Sequence, residues 1–492
     1  MVLPQSKELL MKRTHLTMLA VLALISALST VAAGASVGSR AAAIDDLMSK
    51  YAALGSFSGA ILVADRDGIV IEKAYGLANR EWDIPNTTDT RFRIGSLSKQ
   101  FTAALVMILC EEGRLSLDAK LGDVLPWYRQ DTGQAVTIRQ LLNHTSGLDQ
   151  SGVMRIIMEA PTKRISLREE VLDYCSADFE WQPGSRFGYN NAGYLILSAV
   201  VEEVGGKSWQ EIFAEKILEP VGMRNTALGD SRLILPQRAD GYDRTAEGLR
   251  KPPFVDPLLA SGAGGVISTV GDLYLWDQAL YTDAILPSEA REQMFTPGPG
   301  PYGFGWYVID LPVGPGGAER KVIGHPGQGD GFYSMLWRIP EDHATVILIN
   351  NLGMTDLDSM AEGILGILHG TPARISIGEV LRDAIDTKGT VGARKTYFRL
   401  KEEDSGLYDF GVDALNRLGY LLLRRGSEDE AVAVFELNAE MFPESANAFD
   451  SLGEAYEQIG ELERAVEYYR EALRIEPGFR HAEERLKVLV EE

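Results

Sequence analysis

Phe92-Arg93-Ile94-Gly95-Ser96-Leu97-Ser98-Lys99-Gln100-Phe101-Thr102 is the stretch on which the reading of this 492-residue chain turns. From Leu97 onward apolar residues recur at helical spacing, at Phe101, Leu105, Ile108 and Leu109, and Gly113 closes the run. The pattern predicts a helix over Leu97–Glu112. Ser96 then stands at its first turn, and Lys99, three residues on, shares its face. A helix start offers free amides and the positive end of the dipole, which favour an alkoxide and a developing oxyanion. A neutral lysine alongside can accept the serine proton. The same spacing also fits a helix cap beside a surface lysine, so the decision rests on what the rest of the chain brings.

Two further elements bring chemistry. Tyr189-Asn190-Asn191 follows the turn Gln182-Pro183-Gly184-Ser185 and opens a second helical pattern, Asn191–Val204, apolar at Leu195, Leu197, Val200 and Val201. A tyrosine near a cationic lysine is expected to ionise more easily and can relay a proton. Asn191 can donate its amide to a substrate carbonyl and orient Lys99. The plainer alternative is a core tyrosine beside an N-cap asparagine. His325-Pro326-Gly327 lies in the Gly-rich segment Gly324–Gly331, just before the strand-like runs Gly331–Arg338 and Thr345–Asn350. Glycine there permits close approach of substrate to backbone. The alternative is a turn histidine without a role.

Strand patterns lie at both ends of this region. Ala60–Ala64 and Ile69–Ala74 flank Asp67-Gly68, a strong hairpin turn. Phe304–Ile309 and the two runs just named lie at the other end. The expected fold is α+β: one antiparallel sheet built from both termini, a largely helical lobe between, and a cleft at their seam.

In order and spacing, these blocks resemble the serine β-lactamase and penicillin-binding protein superfamily, in its class C β-lactamase-like branch. Leu141-Leu142-Asn143-His144-Thr145-Ser146-Gly147-Leu148, Phe187 through Tyr194, and Gly264-Gly265-Val266-Ile267-Ser268-Thr269 with Asp272-Leu273 add to the likeness, which covers about Ser56–Leu368. The resemblance implies Ser96 as acylated nucleophile, Lys99 and Tyr189 sharing acid/base work, and Asn191, His325 and Gly327 at the substrate. It also implies an oxyanion hole from the Ser96 and Gln328 amides, each such donor supplying about 2.7–4 kcal/mol in the transition state. The family's third motif is usually Lys-Thr/Ser-Gly. Here His325 is expected to be only partly cationic and Pro326 lacks a hydroxyl, which favours an ester or amide without a strictly recognised carboxylate over a β-lactam. His144 is expected to be a buried, structural helix cap.

The last fifth of the chain changes character. Residues 401–492 hold 23 acidic and 10 basic side chains, net −13 of the whole chain's −22. Leu418/Leu452, Gly419/Gly453, Gly426/Gly460, Ala431/Ala465, Phe435/Tyr469 and Pro443/Pro477 all repeat at an offset of 34. Paired short helices with a small residue facing an aromatic explain that period, and the pattern resembles the tetratricopeptide repeat. A stack of this kind offers a concave face to a protein or peptide partner; the alternative is a packing appendage. Residues 371–400 read as a connector, with a helix over Ile375–Ile385 broken at Lys388-Gly389-Thr390.

At the other end, Lys12 and Arg13 precede an uncharged run, Leu16–Ala35, ending in Ala33-Gly34-Ala35. Residues 1–35 therefore read as a secretory signal or an uncleaved anchor, placing the folded part in the periplasm or outside the cell. A membrane is a partner only if the segment stays uncleaved. The acidic balance argues against nucleic acid. Cys110 and Cys175 allow at most one bridge, and the six histidines are scattered without metal-ligand spacing, so neither metal nor cofactor is implied. The expected activity is a serine hydrolase acting on an ester or amide, D-amino-acid peptides included. The alternatives are a penicillin-binding D,D-carboxypeptidase or β-lactamase, and a non-catalytic protein that binds a partner through its tail.

Overall fold

In the computed structural model, which describes residues 37–245 and 247–491, the hairpin turn at Asp67-Gly68 joins β1 (Gly59–Asp65) to β2 (Gly68–Tyr75). Four more strands come from the far end of the region: β3 (Tyr307–Val313), β4 (Ala318–Gly329), β5 (Phe332–Ile339) and β6 (Ala344–Asn350). Together they form one antiparallel sheet in the order β3-β4-β5-β6-β1-β2. The join between the two ends is β1 on β6, with Ile61 opposite Leu348 and Val63 opposite Val346. The α+β reading with a sheet from both termini thus describes the fold. The segment 1–35 lies outside the described residues. Among those described, no helix is long and apolar enough to cross a membrane.

Both sheet faces are covered, so the strands read as continuous apolar runs rather than alternating ones. Ile61, Val63, Val346 and Leu348 pack against α1 (residues 37–53) and Met360 and Ile364 of a later helix. Ala60, Leu62, Ile347 and Ile349 face the helical lobe, centred on α2 (Ser98–Glu111) and α3 (Asn191–Gly205). The helix that covers the first face is α4 (Leu357–Leu368).

Two expectations change. Ser96 stands not in the helix but in a 3-10 turn, Gly95–Leu97, immediately before it. The Gly-rich segment 324–329 is not a prelude to strands but the second half of β4. Two of its glycines are there because nothing larger fits: a Cβ at Gly324 would strike the Leu336 carbonyl, and one at Gly327 the Ile94 carbonyl. β3 pairs only with residues 318–324, so residues 325–329 keep a free backbone edge, which faces the Gly95–Leu97 turn.

Beyond α4 the chain enters α5 (Ile377–Glu403), kinked where Gly389 takes φ 68° and ψ 178°. Then come α6 (Val412–Arg424), α7 (Glu428–Met441), α8 (Ala446–Gln458), α9 (Leu462–Ile475) and α10 (Arg480–Glu491). The 34-residue offset is visible as structure. Gly426 and Gly460 make equivalent left-handed turns, at φ 75° and 82°. Gly419 faces Phe435 as Gly453 faces Tyr469. Ala393, Tyr397 and Leu400 of α5 join that same core.

The first half of α5 is tied to the loops that flank β1 and β6 by a buried arginine, itself paired with a glutamate on the same helix. Arg382 donates to Glu379, to the Met354 carbonyl at 2.7 Å and to the Ser56 hydroxyl at 2.9 Å. Both charged side chains are almost wholly buried. Removing one partner of such a pair costs about 3–5 kcal/mol, because the other charge is left desolvated. Arg382→Ala is therefore expected to lower the denaturant midpoint by that order. An unchanged unfolding curve would show that the pair is not a clamp.

Candidate active site

Gly95 (φ 52°) turns the chain so that Ser96 emerges half-exposed at the seam while Ser98 points inward. The Ser98 hydroxyl is consumed, donating to the Gly95 carbonyl at 2.7 Å and accepting from the Val266 amide at 3.1 Å. Of the two serines in the motif, only Ser96 is placed to react.

Lys99 is fully buried and meets three oxygens: Ser96 Oγ at 3.0 Å, Asn191 Oδ1 at 2.8 Å and the Ala263 carbonyl at 2.7 Å. Burial dominates its ionisation and lowers its pKa from 10.5 to about 7. As a neutral amine it has two N–H groups for the two carbonyl oxygens and a lone pair for the Ser96 hydroxyl. Its surroundings therefore match a base. The Ala263 carbonyl reaches it from a tight turn in which Ser261 adopts φ 36° and Gly262 leaves no room for a Cβ beside Thr102.

Tyr189 lies at the same point, its hydroxyl against Ser96 and its ring 5.0 Å from Lys99 Nζ. The expected drift towards phenolate is reversed. Burial raises the Tyr189 pKa well above its ordinary value, because desolvation penalises the anion more than the hydrogen bond with Ser96 helps it. Tyr189 is thus a phenol that can donate a proton. Asn191 is the orienter of Lys99, at the first residue of α3.

Gln150 escaped the sequence reading. Its amide clamps the motif from both sides, donating to the Tyr189 carbonyl at 2.8 Å and accepting from the Asn191 amide at 2.8 Å. A glutamine two residues after Leu148 carries no local signal of this. His144 is buried at a helix end with φ 58°. Its Nδ1 accepts the Asn190 amide at 3.1 Å, the structural part expected of it.

His325 does not meet expectation. It is buried, its Nδ1 donates to the Pro326 carbonyl at 2.5 Å, and its Nε2 therefore accepts from Tyr302 at 2.8 Å. Burial, assisted by the Lys99 charge, lowers its pKa to about 3, so the ring is neutral and cannot serve as a carboxylate-binding cation. Gly327 instead serves by its absence of a side chain, letting β4 lie against Ile94, whose carbonyl also accepts from Ser334 Oγ at 2.8 Å. The loop Asp330-Gly331 closes Gly329 on Phe332 with φ 45° and 80°, a two-residue I′ turn. In an antiparallel ladder the hydrogen-bonded pair Gly329/Phe332 alternates with a non-bonded one, so the Gln328 N–H points to the free edge.

Ser96, Asn191 and Gln328 border a cavity of about 190 Å³ with apolar walls that include Val153, Ile156, Leu195 and Leu259. The cation on its lining, Arg93, is paired with Asp330 at 2.5 Å.

An α+β domain with a Ser-x-x-Lys turn, a Tyr-x-Asn helix start and a glycine-bearing strand edge is the arrangement of a β-lactamase-related serine hydrolase. The Beta-lactamase family profile matches residues 41–367, and the chain belongs to that family. A Tetratricopeptide repeat profile matches residues 446–479. Penicillin-binding protein 4* of Bacillus subtilis strain 168 is 30% identical over 322 residues, 60% of this chain and 68% of that protein. The D-aminopeptidase of Brucella anthropi is 25% identical over 362 residues, 71% of this chain and 66% of that protein. Among solved structures, the octameric penicillin-binding protein homologue from Pyrococcus abyssi aligns with TM-score 0.57 at 27% identity, covering 66% of this chain and 76% of that one.

The Lys99 environment fixes a pH dependence. The neutral amine is the working form, so kcat/KM for an activated ester should rise as pH passes through about 7 and level off above it. Lys99→Arg, charged at every accessible pH, should lose about 10²–10⁴-fold and abolish that limb. A flat profile between pH 6 and 8 would remove Lys99 from the role of base.

His325 and His144 predict the acid limit of stability. Both are neutral in the fold with pKa values pushed down by burial, whereas the unfolded chain takes up protons near pH 6.5. Stability is fully present above pH 6.5 and falls as pH drops below it, by roughly 1.4 kcal/mol per pH unit for each histidine until its folded pKa is reached. Denaturant titrations at pH 7 and 5 check this, and His325→Gln should reduce the slope.

Proposed function

We propose that this chain cleaves an ester or amide bond, D-amino-acid peptides included, through an acyl-enzyme on Ser96, in the periplasm or outside the cell. The observation that supports the proposal best is the position of buried Lys99 Nζ, 3.0 Å from Ser96 Oγ, 2.8 Å from Asn191 Oδ1 and 2.7 Å from the Ala263 carbonyl, where its neutral form keeps two N–H groups on the carbonyl oxygens and turns its lone pair to the serine hydroxyl. Lys99 takes the serine proton as Ser96 attacks the carbonyl carbon. The resulting oxyanion is held by the Ser96 and Gln328 amides. The phenol of Tyr189 passes a proton to the leaving alcohol or amine and is recharged from Lys99. Water then repeats the sequence and releases the acid. His325 acts behind the site, fixing β4 through Tyr302.

The apolar cavity and the neutralised Arg93 support an apolar acyl group over a recognised carboxylate. The likeness to penicillin-binding proteins favours a second reading, a D,D-carboxypeptidase or β-lactamase. The repeat tail supports a protein or peptide partner on its concave face. The extracytoplasmic location rests on the leader-like residues 1–35.

Intact-mass spectra after exposure to an activated ester and to a fluorescent penicillin separate the two enzyme readings. Ester turnover that depends on Ser96, without a lasting penicillin adduct, is the expected result. A persistent adduct absent from Ser96→Ala would establish the second reading. Turnover undiminished in Ser96→Ala would overturn both.

A further inference from the structure

The first repeat helix meets the hydrolase domain across a second cavity that the chemistry above does not use. It holds about 120 Å³ and lies between Gln328 and Tyr333 of the sheet, Asp358 of α4, and Asn416, Arg417 and Arg424 of α6. Its charged groups fall into two sets. Asp356 and Arg417 are spent on their neighbours. Asp356 accepts from the Ser359 amide at 3.0 Å and its hydroxyl at 2.5 Å. Arg417 donates to Ser359 Oγ at 2.7 Å and to both Glu362 oxygens at 2.7 and 3.0 Å.

Asp358 and Arg424 are not spent. Among the described residues neither forms an ion pair within 4.0 Å, although both line the cavity and both side chains are exposed to it. Arg424 touches the Tyr333 hydroxyl, and the charges of both Arg417 and Arg424 are felt at Asp358. A guanidinium and a carboxylate thus face one small space without meeting. An anion alone would be repelled by Asp358, and a cation alone by Arg424.

We propose that this cavity binds a free, small α-amino acid in its zwitterionic form. The carboxylate lies on the fork of Arg424, and the ammonium lies against the Asp358 carboxylate. The site goes beyond the hydrolase reading and does not depend on it. If that reading is correct, cleavage of an amino-acid amide releases a ligand of this class, and it would bind behind the strand that carries Gln328.

Titration calorimetry on the full chain carrying Ser96→Ala tests the site apart from any turnover. D-alanine and L-alanine are the probes, with acetate and ethylammonium as single-charge controls. The expected result is saturable one-site binding of alanine, at least about tenfold tighter than either control. Arg424→Gln and Asp358→Asn should each weaken it by a similar factor with the melting temperature unchanged, since both side chains are exposed. Arg424→Lys should recover part of the loss. The proposal is overturned if neither enantiomer gives saturable heat, if acetate binds as well as alanine, or if binding survives both substitutions. The wild-type chain supplies a last arm: alanine binding should persist after Ser96 is acylated, and its loss would place the ligand in the catalytic cavity instead.

Discussion

The site is organised around the desolvation of one amine. In water Lys99 would be charged and useless as a base. Enclosed by α2, α3 and the turn at Ala263, it loses the hydration that favoured the ammonium. The protein supplies only two fixed acceptors in place of that water, Asn191 Oδ1 and the Ala263 carbonyl. Two are what a neutral amine can satisfy; a third contact, to Ser96, falls to its lone pair. Everything else near the site serves to keep that enclosure closed. Gln150 secures both backbone positions around Tyr189 and Asn191, and Thr102 donates to the Gly262 carbonyl at 2.8 Å to hold the turn.

A second constraint, close packing of two backbones, follows from the first. The oxyanion donors proposed above are main-chain amides, which bring neither side-chain volume nor charge into the space beside Lys99. β4 can present one of them, the Gln328 amide, because β3 leaves it at residue 324 and because Gly327 and Gly95 both lack a Cβ. A side chain at either position would push strand and nucleophile turn apart. His325, locked between Tyr302 and its own neighbour's carbonyl, then holds the strand from the lobe side without introducing a charge.

The short motif blocks and the sheet built from both termini were legible in the sequence, and the single contacts between distant segments at the site were not. Ser96, Lys99, Tyr189 and Asn191 stand in short blocks whose spacing alone puts them at helix starts. The 34-residue period of the tail is likewise a local regularity. Ala263 and Gln150 were silent, because a carbonyl or an amide acquires its role only when a distant segment folds against it. His325 misled for the same reason. Its residue type suggests a titrating group, whereas its ionisation is set by burial among Tyr302, Tyr307 and Tyr189, which lie far from it or outside its own segment. The glycines of 324–329 looked like loop residues because glycine lowers strand propensity. For Gly324 and Gly327 the actual cause is steric and lies in Leu336 and Ile94.

The tail shares these constraints rather than hanging from them. α5 joins the two units directly: Ile377, Leu381, Ala384 and Ile385 before its kink and Ala393, Tyr397 and Leu400 after it all lie in the repeat core, while Arg382 reaches the Met354 carbonyl and the Ser56 hydroxyl of the hydrolase domain. Arg417 of α6 adds its ties to Ser359 and Glu362 of α4, the helix that covers one face of the sheet. A displacement of α6 therefore acts on α4 and on the Gln328–Tyr333 face across the shared cavity. Packed interiors transmit such displacements because they are dense and poorly compressible. Those fixed contacts set the repeat stack at a defined position behind the oxyanion strand, where its first helix completes a wall that the hydrolase domain alone leaves open.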